Sequence, residues 1–156
     1  MKSYTYAAEP LTEELKHDLL NIFNEYYNAS EVARADLSPY DFDWDMYHAL
    51  EQAGIFLAVV ARDVEGNKPV GTVFYIITQN PHHRTERVAT CDGIGVALAH
   101  RSAGIGNSLC DVAEVLLRER DVDVILHHSR TTYKNVPMFI DRGYKVIEHV
   151  YMKRIT

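Results

Sequence analysis

The chain predicts a mixed α/β fold (α+β), a single domain over residues 1–156 in which helices and antiparallel strands come first and alternating helix and strand follow. Three observations lead there. Apolar residues recur at three- and four-residue spacing near the N-terminus, β-branched and aromatic runs fill the middle, and a glycine turn then opens a second amphipathic run. The order is not the regular βαβ series of a doubly wound nucleotide fold.

Ser3 to Ala8 reads as a short first strand. Leu11, Leu15, Leu19, Ile22, Phe23 and Tyr26 then share one helical face, with Thr12 as N-cap and Glu13 and Glu14 in the first turn, where the helix dipole favours them. A shorter helix runs from about Asp43 to Gln52 and stops at Gly54. Ile55–Ala61 and Val70–Thr78 are strand runs joined by Glu65-Gly66-Asn67-Lys68, a turn sequence, so they form an antiparallel hairpin. A polar loop, Gln79–Glu86, leads to a strand over Arg87–Val96. Gly104–Arg120 is a helix with Leu109, Val112, Ala113, Leu116 and Leu117 on one face. Val122–His127 is a strand, Asn135–Arg142 a short helix and Tyr144–Arg154 a final strand.

Of the 156 residues, 47% are hydrophobic and 24% charged, as in ordinary globular domains. No apolar run approaches the roughly 20 residues that span a bilayer. Met1-Lys2-Ser3-Tyr4 leads into a polar, acidic stretch and not into a signal-peptide core, so the expected location is cytoplasmic. Cys91 and Cys110 belong to no CxxC pair and read as reduced core thiols. A net charge of −6 speaks against nucleic acid as the main partner and suits a cationic substrate.

The stretch from Val96 to Asn107 carries the chemistry. It joins a strand to a helix and sets Gly104 and Gly106 at the helix start, where amide N–H groups lack intrahelical partners and the dipole is positive. Glycines admit a ligand close to bare backbone, so this turn suits a pyrophosphate. A lone GxG more often makes a tight turn, and its surroundings decide here. Arg101-x-x-Gly104-x-Gly106, entered from a strand that ends at Val96, resembles the acyl-CoA signature of the GNAT superfamily of N-acetyltransferases. Asn135 with Phe139, Gly143 and Tyr144 resembles that family's Asn-x-x-x-Tyr-x-x-x-Gly-Phe ending, and Val70-Gly71 resembles the opening of its third strand. The likeness covers residues 55 to 156 well and the N-terminal third in outline.

The resemblance implies the GNAT fold, a mixed sheet of six to seven mostly antiparallel strands splayed between the fourth and fifth, with about four helices. It implies acetyl-CoA as co-substrate and acetyl transfer to a primary amine by direct attack in a ternary complex; no metal is expected, since no HExxH or Cys/His spacing is present. It assigns the pantetheine arm to backbone at Val96 and Leu98. The pyrophosphate falls to the amides of Arg101, Ser102, Ala103, Gly104, Ile105 and Gly106, with Asn107 in the next turn. Asn135 matches a residue that contacts the pantetheine or acetyl region. Phe139 departs from the pattern: a tyrosine there often protonates the departing thiolate, and phenylalanine has no proton to give. Tyr133 is near in sequence but off the motif position.

An ammonium substrate must lose a proton before it attacks. The resemblance implies a Glu or Asp on the strand before the motif, or ordered water, for this step. The carboxylates in that region are Asp92 and Glu86, with Asp92 within the strand, and His127, ending the neighbouring strand, is the imidazole candidate. Both also have plainer readings, Asp92 as a bulge or strand-end residue and His127 as a half-exposed strand end. His127 and His128 point to opposite faces, so at most one faces the cleft. Neither His82-His83 nor His127-His128 has metal-site spacing, and Ser102, Ser108 and Ser129 lack a nucleophile elbow. Tyr40 to Tyr47 interleaves Asp41, Asp43 and Asp45 with aromatic residues. It reads either as a cation-holding wall of the acceptor pocket or as an acidic helix start packed on the core. The expected partner is thus a cationic amine, a small molecule or a protein, with no nucleic acid and no membrane; a homodimer is compatible with the sequence. The alternative function is a catalytically weak member of the same fold that senses CoA or serves as a protein-interaction module.

Overall fold

The computed structural model describes residues 2–30, 38–129 and 136–155. Strands β1 (Tyr4–Ala8), β2 (Phe56–Asp63), β3 (Pro69–Gln79) and β4 (Arg87–Val96) pair antiparallel in chain order, and β5 (Val124–His127) joins β4 in parallel. Helices α1 (Glu13–Ala29) and α2 (Trp44–Gln52) pack on one face of the sheet and α3 (Ile105–Arg118) on the other; α4 (Val136–Asp141) follows β5. Thr12 caps α1, its hydroxyl accepting from the Leu15 amide at 3.2 Å. Asp43 caps α2 by accepting from the Met46 amide at 2.9 Å.

Two cores follow from this layering. Leu57, Val59, Val73, Tyr75 and Ile77 meet Ile105, Leu109, Ala113 and Leu117 of α3. Leu15, Leu19 and Phe23 of α1 and Tyr47 of α2 meet Phe56, Ala58, Val60 and Phe74 on the opposite face. Strands β2 and β3 are therefore buried on both sides, which is why their sequences are continuous apolar runs without alternation.

Close packing sets where α3 begins. A Cβ built on Gly71 would stand 3.0 Å from the Ile105 side chain and 3.3 Å from Leu109, so the missing side chain lets the first turn of α3 lie against β3. On the other face, Cβ atoms on Gly93 and Gly95 would meet Phe23 and Ile22 at 3.2 Å, so α1 lies directly on the second half of β4.

Strand β4 is also bent. Phe74 pairs with Gly93 and Tyr75 with Cys91, leaving Asp92 as the extra residue of a bulge. The parallel ladder to β5 covers only Val88–Cys91 against Val124–His127. From Asp92 onward β4 runs free of β5, and this fork is the expected splay between the fourth and fifth strands.

Two expectations need correction. The sheet has five strands among the described residues, not six to seven, and Tyr144–Arg154 is not a strand. Val146 and Ile147 are adjacent, so in a strand they would point to opposite faces, yet they are 71% and 68% exposed. Neither face finds apolar surface, and β-propensity without cross-strand packing does not hold a strand. No helix of the described residues is long and apolar enough to cross a membrane.

Candidate functional site

Strand β4 ends at Val96 and the chain makes a single 3₁₀ turn, Leu98–His100, before α3. The turn is pinned from three sides. The Ala97 amide donates to the Val70 carbonyl at 2.8 Å, the Leu98 amide to the Glu25 carboxylate at 2.8 Å, and His100 Nδ1 lies 3.1 Å from the Tyr4 hydroxyl. Ser102 and Gly104 then take left-handed backbone, with φ of 68° and 76°, and Gly104 is the N-cap of α3 without a side-chain cap bond. Among the described residues, no backbone bond outside the regular elements has an amide from Ser102 to Asn107 as donor.

That row of free donors lies at the positive end of a 14-residue helix whose first turn carries no acid. Space is open there too: a Cβ on Gly104 or on Gly106 would meet nothing within 4 Å. The fold itself does not need Gly106 bare, so the room suits a ligand. Arg101 to Gly104 are exposed while Ile105 is buried, anchoring the loop through one side chain. Arg101 turns back, its Nε donating to the Val96 carbonyl at 3.1 Å. Its amide, expected in the donor row, instead donates to the Leu98 carbonyl at 3.3 Å and closes the 3₁₀ turn, so the row begins at Ser102. These features fit a pyrophosphate group. Both Val96 and Leu98 thus have backbone groups already taken, by Arg101 and by Glu25.

The fork lies at the other end of the exposed β4 edge. Asp92 and His127 flank it on opposite faces. Asp92 is exposed, and its Oδ2 accepts from the Tyr47 hydroxyl at 2.5 Å. His127 lies on the α3 side, its Nε2 2.8 Å from the Tyr75 hydroxyl. Its ring is enclosed by Phe139 at 4.6 Å, Tyr144 at 5.3 Å and Tyr75 at 5.5 Å. Burial lowers His127 to about 4, so it is neutral at pH 7. Burial likewise raises the Tyr75 hydroxyl far above its ordinary value, and the Cys91 and Cys110 thiols to about 12 and 11, leaving both as inert core groups. Phe139 packs on His127 and Tyr144, so the motif position is filled by a ring that covers the imidazole. Behind it, Glu114 accepts from Arg142 at 2.6 Å and from the Tyr144 hydroxyl at 3.2 Å, tying the end of α4 to α3.

Tyr133 and Asn135 lie outside the described residues. Of the remaining sequence candidates, the structure brings Ser102 to Asn107 together as one amide row and sets Asp92 and His127 at the fork, with Phe139 stacked on His127. Sequence reasoning missed Tyr47, Tyr75 and Glu25 as partners. A buried tyrosine needs a partner for its hydroxyl, which was a signal for the first two, but pairing across 45 or 52 residues is not written in local spacing. A groove of about 1080 Å³ between α1 and the β2–β3 turn shares Glu25 and Ala97 with the loop but reaches neither Asp92 nor His127. No group of three or more His, Cys, Asp or Glu side chains among the described residues is placed to hold a metal.

Comparison with known proteins agrees with this architecture. The model of the Acetyltransferase (GNAT) family matches residues 16–144. The fold is similar to that of a Trypanosoma brucei acetyltransferase, with a TM-score of 0.74 at 13% identity over 98% of this chain and 100% of that one. It is similar also to glucosamine-6-phosphate N-acetyltransferase from Arabidopsis thaliana (0.72, 10%, 97% and 99%). A third is the ribosomal-protein-alanine N-acetyltransferase of Brucella melitensis biovar Abortus 2308 (0.69, 21%, 99% and 100%). No curated protein matches the sequence significantly. With the family's model spanning all but the ends of the chain, and its sheet parting at the β4–β5 fork, this protein belongs to the GNAT acetyltransferase family.

Proposed function

We propose that the protein is an acetyl-CoA-dependent N-acetyltransferase that transfers an acetyl group to a primary amine by direct attack in a ternary complex, and that it works in the cytoplasm. The observation that carries this is the open amide row at the start of α3, at the end of a β4 edge that β5 has left. Names among the fold relatives give N-acetyl transfer with a sugar phosphate and with a ribosomal-protein alanine, which supports an amine acceptor of one kind or another.

Acetyl-CoA, when bound, supplies the activated acyl group. The amides from Ser102 to Asn107 would hold its pyrophosphate, and the backbone of Val96 and Leu98 would take the pantetheine arm in exchange for their present bonds to Arg101 and Glu25. Asp92 takes the proton of the ammonium acceptor. It is exposed and stands at the fork, whereas His127 is a poor proton acceptor, because burial disfavours its charged form and its Nε2 is engaged by Tyr75. Phe139 has no proton for the departing thiolate, so solvent supplies it. No metal takes part in this reading.

Binding is tested by thermal unfolding with acetyl-CoA. Ligand at 100 times its dissociation constant stabilises by about 2.7 kcal/mol, several degrees for a domain of this size. An unchanged melting temperature at millimolar acetyl-CoA would contradict the enzyme reading and favour an interaction module.

A further inference from the structure

Asp92 is held by a residue that no motif marks. The Tyr47 ring is 6% exposed and fixed among Phe56 at 5.2 Å, Trp44 and Phe74 at 5.8 Å and Phe42 at 5.9 Å. Its hydroxyl emerges at the edge of this cluster and donates to Asp92 Oδ2 at 2.5 Å. Burial and the neighbouring carboxylate both oppose ionisation of Tyr47, so the hydroxyl stays a donor. Asp92 itself is exposed and sits in a bulge, the first β4 residue past the last β4–β5 pair. An exposed carboxylate has water for its hydrogen bonds and needs no buried partner to be satisfied. What the contact adds is orientation: a rigid donor selects one rotamer of a side chain that would otherwise turn freely.

We propose that Tyr47 is a positioning residue for acetyl transfer, its hydroxyl fixing the Asp92 carboxylate at the fork so that Oδ1 takes the proton of the acceptor amine. This rests on the transferase reading above. The proton passes from the amine nitrogen to Oδ1, and Tyr47 keeps its own. Among the described residues, no hydrogen bond occupies Oδ1. Helix α2 thereby acts on the chemistry without touching substrate, through a bond that spans 45 positions of sequence.

The test pairs kinetics with spectroscopy on the full chain. Tyr47→Phe keeps the ring and its packing, so melting temperature and acetyl-CoA affinity stay near wild type. Its kcat for the amine falls by about tenfold or more, the loss expected for one hydrogen bond to a charged group. In an Asp92→Ala background the same substitution has no further effect, because nothing is left to position. In the unliganded protein, the Tyr47 hydroxyl proton gives a slowly exchanging downfield NMR signal that Asp92→Ala removes. An active wild type whose Tyr47→Phe variant keeps its kcat overturns this proposal alone. So do losses that multiply in the double variant, or a hydroxyl signal that survives Asp92→Ala. A wild type without transfer activity overturns the transferase reading and this proposal with it.

Discussion

Gly106 lies in the first turn of α3 with empty space where a side chain would be. An aspartate there is favoured by the helix dipole, so Gly106→Asp should fold at least as stably as the parent. The same carboxylate would stand among the amides offered to the pyrophosphate, and acetyl-CoA affinity should fall at least about tenfold by charge repulsion. Calorimetric titration of parent and variant checks both halves. His127 gives a second expectation. Burial lowers it from 6.5 to about 4, so as pH falls the unfolded chain takes up the proton first. Its contribution to stability is complete well above pH 6.5 and is lost towards pH 4, worth about 3 kcal/mol. His127→Gln should remove that part of the acid sensitivity, seen as a shallower fall in denaturant stability between pH 6.5 and 4. If parent and variant lose stability in parallel, the imidazole is not buried as described. These two residues also differ in how legible they were. Gly106 stood in a motif, whereas the neutral state of His127 depends on Phe139, Tyr144 and Tyr75, which only the folded chain gathers.

At the scale of elements, the seat of α3 on β3 positions the site. Gly71 makes that seat, with Ile105 and Leu109 already close to where its Cβ would be. Gly71→Val should cost about 1–3 kcal/mol by overpacking and should also weaken acetyl-CoA binding, because Ile105 anchors the loop that carries the amides. Chemical denaturation and a binding titration test the pair of effects; a stable variant with normal affinity would mean that α3 is seated elsewhere. The helices and the five strands are readable because each has a period, a cap or an apolar run bounded by turn residues: Thr12 before α1, Asp43 before α2, turn residues between β2 and β3. The final strand was misread because Tyr144–Arg154 has strand-like composition, and composition does not supply a partner. The bulge at Asp92 is not legible in the sequence alone, since a bulge is a relation between strands and leaves no mark in one of them.

Over the whole molecule, the net charge of −6 and the exposed Asp41, Asp43 and Asp45 near α2 predict an acceptor that arrives as a cation. Asp43 also caps α2, and asparagine caps nearly as well, so replacing all three by Asn should leave stability close to the parent. The Michaelis constant for the amine should rise by about tenfold, at about 1 kcal/mol or less per exposed pair, and the effect should shrink with added salt. Equal constants at low and high salt would reduce these aspartates to a helix start. The acceptor itself is not legible in the chain, because no motif in the sequence marks a residue that would hold it. The proposed cofactor end is legible, because one short segment, Val96 to Asn107, carries its motif. The most direct measurement is therefore an acetyl-CoA titration of the ¹⁵N-labelled protein followed amide by amide. The account predicts saturable shifts concentrated at Ser102 to Asn107 and at Leu98. Shifts confined to the groove beside Asp18 and Lys68, or none at all, would contradict it.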